Sequence, residues 1–170
     1  MMNSQYSEIQ CPECNASIPD IHDVTHPYLP APAGCWARFN EVLAKEFSQP
    51  EYWKAHRLTV DAYCAQHASG DDRRQVQSVV VHLVALYLNF EMRYSNERIA
   101  QCMDSLIHQH KHRFPKLNKP QFVDTLNIPD VLAAASADEH YALAENWARS
   151  VWQAWNNEHD RIAKLASTAC

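Results

Sequence analysis

Cys11 and Cys14 stand three positions apart, and His22, His26 and Cys35 follow within 21 residues of Cys14. Two thiolates at that spacing chelate one ion from a tight turn, and two ligands from a later segment complete a tetrahedron. A thiolate-rich set suits zinc over magnesium or calcium, which take hard oxygen ligands. The expected ligands are Cys11, Cys14, His26 and Cys35, with His22 as the substitute for His26. His26 precedes the Pro27 turn, and Cys35 opens a helix whose dipole favours a thiolate. Two other readings stand beside this one. The thiols are free or only packed, or Cys11 and Cys14 form a thioredoxin-type redox pair, which belongs at a helix start after a strand; no strand is legible here.

A second set is diffuse. His56, Asp61, Tyr63, His67, His82 and His159 fall on three predicted helices, several on faces shared with apolar residues. If those faces converge, the side chains hold a metal with a position open for water, which is hydrolytic chemistry, or line a small-ligand pocket. No HExxH or other fixed spacing supports convergence. A histidine on an apolar face is more often a core residue with its own hydrogen-bond partner, and Asp61 and Tyr63 would then serve these imidazoles. Trp147, Trp152 and Trp155 recur at helical spacing, which favours packing over a pocket lining. Cys64, Cys102 and Cys170 look isolated and carry no assigned chemistry.

The elements that must position these residues are helices. Five of the nine prolines lie in residues 9–34, so that stretch is no long helix and needs something besides backbone hydrogen bonds to order it. Trp36, Phe39, Val42, Leu43 and Phe47 recur at helical spacing. Ser48 with Glu51 reads as a capping box opening a helix over 49–68, stopped by Gly70. A third helix spans 72–94, apolar nearly all round and so central; Asn96 caps a fourth, reaching His112. Ser136 with Glu139 opens the last. The expected fold is all-α: a compact bundle of about five helices with an irregular N-terminal metal-binding segment. It forms one domain over 1–170, with the metal segment at 9–36, helices one to four at 36–112, a Pro-containing loop at 113–135 and a long C-terminal helix at 136–166.

Composition narrows the function. The net charge of −5 gives no general attraction to phosphate backbones or anionic membranes, so no nucleic acid and no membrane is expected as partner. The basic run from His108 to Arg113 reads as a solvated helix end. Residues 1–10 lack a signal-peptide apolar core, and the apolar run Val79–Leu88 is interrupted by His82, which points to a cytoplasmic chain with reduced thiols. No motif specifies a reaction, a partner or an oligomeric state.

Several segments carry a resemblance over nearly the whole chain. They are Cys11-Pro12-Glu13-Cys14, Thr25-His26-Pro27-Tyr28, Pro32-Ala33-Gly34-Cys35-Trp36, the run from His56 through Thr59-Val60-Asp61-Ala62-Tyr63 to Gln66-His67, Ser78 to Leu83, and Trp147 to Trp155. Together they resemble the bacterial domain-of-unknown-function family 5946. The resemblance implies a CPxCG-like opening, where this chain has Asn15 at the glycine, and a Gln-His-Pro segment, where it has Gln66-His67-Ala68. Asn tolerates left-handed backbone, so the turn survives. The resemblance implies His26 and Cys35 as ligands and marks His56, Asp61, His67 and His82 as a site to test; it implies no activity. The expected function is a zinc-binding helical protein, metal-stapled, that acts by binding a partner. The alternative is a metal-dependent, hydrolase-like enzyme or small-ligand receptor using the His/Asp/Tyr set.

Overall fold

Two three-residue strands flank the first cysteines. In the computed structural model, which describes residues 6–170, β1 (Glu8–Gln10) pairs antiparallel with β2 (Ser17–Pro19), Ile9 opposite Ile18. Strands this short leave almost no alternation to read, which is why the sequence showed none. Ile18 is the buried anchor of the hairpin.

Seven helices follow among the described residues: α1 (Ala33–Ser48), α2 (His56–Gln66), α3 (Arg73–Phe90), α4 (Asn96–His110), α5 (Ile128–Leu132), α6 (Ala137–Ala154) and α7 (His159–Ala169). The chain is thus mostly helical, with seven helices where about five were expected. The stretch expected as one C-terminal helix divides at Trp155, followed by a 3-10 turn over Asn156–Glu158. Consecutive Asn residues are poor helix formers, and the break turns α7 onto α3 and α4. Ser48 does not open the second helix. It ends α1, its Oγ donating to the Lys45 carbonyl at 3.3 Å, and a 3-10 turn from Pro50 to Ala55 precedes α2.

α3 is central, as its all-round apolar surface predicts, and packs against α2, α4, α6 and α7. Asp72 caps it, accepting from Arg74 N at 2.8 Å, while Asp72 N donates to Gln75 Oε1 at 3.1 Å. The three tryptophans are core: Trp147 Nε1 donates to Gln66 Oε1, Trp155 Nε1 to the Ala65 carbonyl and Trp152 Nε1 to Glu91. Cys102 and Cys170, which looked isolated, are joined in a disulfide with Cα atoms 5.3 Å apart. They are 68 positions apart in sequence, beyond what local spacing reveals. No helix among the described residues is long and apolar enough to cross a membrane.

Candidate metal centre

The hairpin turn carries Cys11 and Cys14. Cys11 N donates to the Ala16 carbonyl and Asn15 N to the Cys11 carbonyl, both at 2.9 Å, and Asn15 takes the left-handed conformation at φ 59°. The asparagine therefore fills the glycine position of the turn, and its Nδ2 also donates to the Phe122 carbonyl at 3.0 Å. Cys35 enters from the first turn of α1. That helix can approach the hairpin only because residue 34 is glycine: a Cβ there would collide with the Pro19 carbonyl oxygen.

His67 supplies the fourth side chain, at the point where α2 stops. Its Nδ1–H donates to the Tyr63 carbonyl at 2.8 Å, leaving the Nε2 lone pair for the sulfurs. Tetrahedral coordination, with bonds of about 2.3 Å to sulfur and about 2.0 Å to nitrogen, separates ligand atoms by roughly 3.5–3.8 Å. Here Cys14 Sγ lies 3.8 Å from Cys35 Sγ, and His67 Nε2 lies 3.7 Å from Cys11 Sγ and 3.2 Å from Cys35 Sγ. All four ligand atoms lie within 4.8 Å of one another, and all four residues are buried. This cluster could hold a metal ion.

Without a cation the sulfurs cannot share the site as anions. Hydrogen bonds from Cys14 and Cys35 hold the Cys11 thiol far below its ordinary range. The same contact with Cys11, with burial, pushes Cys14 up to about 12; Cys11 and Cys14 together push Cys35 up as well. Tyr63 Oη donates to Cys35 Sγ at 3.6 Å, and burial foremost, with the neighbouring sulfur, raises its pKa, so it remains a donor.

Glu13, between the two turn cysteines, ties the hairpin to the segment after His67. Its buried carboxylate accepts from Ala68 N at 3.1 Å, Ser69 N at 3.2 Å and Lys119 Nζ at 2.7 Å. These amides lie just past the C-terminus of α2, where the chain has left the helix, so Glu13 fixes the exit that aims His67.

The fourth side chain of the cluster is thus His67, and the expected His26 lies outside it. His26 Nδ1 accepts from Tyr28 N at 3.0 Å, and its ring packs edge-on against Trp36. It closes a turn in the proline segment, and burial lowers its pKa. The substitute, His22, is exposed and is not in the cluster.

The remaining histidines do not converge. His56 Nδ1 bonds Glu46 at 2.9 Å, with its ring stacked on Trp53. His159 Nε2 donates to the Trp152 carbonyl at 2.9 Å, with its ring flat on the indole at 3.7 Å. His82 Nδ1 bonds Asp61 Oδ1 at 2.7 Å. Among the described residues, no second group of three His, Cys, Asp or Glu side chains comes within metal-binding reach.

Sequence reasoning also missed a buried polar hub. The Glu46 carboxylate accepts from His140 Nε2 at 2.9 Å and Thr59 Oγ1 at 2.6 Å besides bonding His56. Its residues come from α1, α2 and α6, and only the placement of charged Glu46 on the apolar stripe of α1, between Leu43 and Phe47, could have signalled it.

The sequence matches the family of unknown function DUF5946 over residues 9–156. No curated protein and no solved structure matches it.

Proposed function

We propose that this chain, which belongs to the family of unknown function DUF5946, is a zinc-binding helical protein whose Cys11, Cys14, Cys35 and His67 hold one structural ion and which acts by binding a partner, without turnover. The observation that carries the reading is the His67 imidazole, whose Nδ1–H is committed to Tyr63 while Nε2 faces two sulfurs at 3.2 and 3.7 Å. A histidine whose second nitrogen is tied to a carbonyl is the usual outer-sphere arrangement of a zinc ligand.

Three thiolates and one imidazole favour zinc. Four protein ligands, each at most 1% exposed, leave no position for water, which fits a structural ion and not a catalytic one. The ion would join Cys11 and Cys14 of the hairpin and Cys35 of α1 to His67 at the end of α2, and so clamp the proline-rich leader that runs between them. The three cysteines of the cluster are free thiols and so available for it, whereas the disulfide joins Cys102 to Cys170 outside it.

Elemental analysis of untagged protein tests this. A single zinc per chain is expected, lost in Cys11→Ser and Cys35→Ser and retained in His26→Ala. Metal-free protein as purified, or zinc that survives both cysteine substitutions, would overturn it.

A further inference from the structure

A recess of about 500 Å³ opens between α3, the end of α4 and the loop carrying Tyr28. Its size falls in the ordinary range for small-ligand sites, roughly 300–1,000 Å³. None of the four cluster residues lines it, so a ligand seated there would bind whether or not the cluster holds an ion.

The lining is one-sided in charge. Arg73, Arg74, His82 and His112 contribute, and no carboxylate does. In a chain of net charge −5 such a wall is not explained by composition. The nearby acids are already engaged elsewhere: Asp71 pairs with Lys116, and Asp72 caps α3. That cap also occupies the Arg74 amide, so the helix end itself offers little; the side chains do.

Each basic group is held differently. The Arg74 guanidinium lies over the Tyr28 ring, 4.8 Å from its centroid, and touches the Tyr28 hydroxyl. His112 Nδ1–H donates to Gln77 Oε1 at 2.6 Å, from a backbone in which Lys111 and His112 are both left-handed, φ 47° and 62°. Consecutive non-glycine residues in that region are strained, and here the strain brings His112 back onto α3. The Arg73 side chain, exposed at the start of α3, makes no hydrogen bond or ion pair among the described residues.

His82 is backed by two side chains that do not reach the recess, Asp61 at 2% and Cys64 at 5% exposure. Burial works against charge on its imidazole, but Cys64 and Asp61 outweigh it and push the pKa up to about 10. Among the described residues Asp61 Oδ2 has no hydrogen-bond partner, and Oδ1 is bonded to this one histidine. Asp61 orients the His82 imidazole, while the two arginines supply the net charge.

We propose that this recess binds a small phosphorylated molecule, its phosphate held by Arg73 and Arg74 beside His82. Guanidinium forks match phosphate and carboxylate alike, but a phosphate carries the larger negative charge and an additional acceptor oxygen, so two guanidinium groups favour it. The Tyr28 ring and the apolar side chains of Val81 and Ile107 would flank the ligand's organic body.

Calorimetric titration of the untagged 170-residue chain with phenyl phosphate, inorganic phosphate and benzoate tests this. Phenyl phosphate is expected to saturate one site, with inorganic phosphate weaker and benzoate weaker by about tenfold or more. Losing a charge-assisted bond at Arg73→Ala should cost about tenfold in affinity. Because Arg73 supports nothing in the fold, that variant should melt like the parent. His82→Gln, which can still hydrogen-bond Asp61, should also weaken binding. No binding at millimolar phenyl phosphate, benzoate bound equally well, or binding untouched by both substitutions would each overturn the proposal.

Discussion

His67 Nδ1–H donates to the Tyr63 carbonyl oxygen, 2.8 Å away and one turn earlier on α2, and that bond decides which ring nitrogen faces the three sulfurs. With the tautomer set in advance, the fourth ligand meets an ion without reorganising. His67→Ala should therefore lower zinc affinity far more than His26→Ala, whereas His67→Cys should keep the ion. Competition with a chromogenic chelator ranks the variants; equal affinities for His67→Ala and His26→Ala would contradict the assignment.

Loading should also release protons. Cys14, pushed up to about 12, and Cys35, also raised, are thiols at neutral pH, while Cys11 is already held down. An ion takes ligands as thiolates, so adding zinc to stripped protein at pH 7 should expel about two protons per chain. Calorimetry in buffers of different ionisation heat counts them. Near-zero release would mean that the sulfurs are not its ligands.

Gly34 should not tolerate alanine. A Cβ would strike the Pro19 carbonyl oxygen, so α1 must lift from the hairpin and carry Cys35 with it. A cost of about 1–3 kcal/mol is expected from overpacking alone. The discriminating result is that Gly34→Ala loses zinc affinity as well as stability. Chelator competition and denaturant melts on one preparation read both; a stable variant with unchanged affinity would refute the close approach.

The contrast between Cys35 and His67 shows what the sequence makes legible. Cys11, Cys14 and Cys35 share a short proline-rich segment, and sulfur chemistry at that spacing points to a metal whatever the fold. His67 lies 53 positions beyond Cys14, and nothing local marks it as a ligand instead of a helix-face residue. Its role depends on where α2 stops, which Glu13 fixes through Ala68 N and Ser69 N across the fold. Likewise the apolar run of α3 identified the central helix, whereas the break at Trp155 and the two short strands turn on a few residues whose preferences packing decides.

Glu46 is expected to be a stability determinant in acid. Burial raises its pKa, but bonds from His140, His56 and Thr59 outweigh it and hold it below the ordinary 4.5. A depressed carboxylate stabilises the fold above its unfolded pKa, and that share is lost as pH falls through the folded value. Stability should thus decline below about pH 4.5 in the parent, and this component should vanish in Glu46→Ala. At neutral pH the same substitution should cost roughly 1–3 kcal/mol for each buried donor left unpaired, because it strands His140 Nε2–H and Thr59 Oγ1–H. Denaturant melts from pH 3 to 7 measure both; parallel parent and variant curves would count against the hub.

The pair His82 and Asp61 should act with the opposite sign. The folded His82 pKa of about 10 lies above the ordinary 6.5, so its contribution is complete below pH 6.5 and drains away as pH rises toward 10. Asp61→Asn removes the carboxylate that bonds Nδ1 at 2.7 Å and leaves only Cys64 to favour the charge. The stability gap between parent and variant should be widest near pH 6.5 and narrow steadily above it. Denaturant melts at intervals across that window follow the gap. A gap of constant size would mean that Asp61 holds a neutral imidazole, and that the recess is lined by a hydrogen-bonding ring without charge.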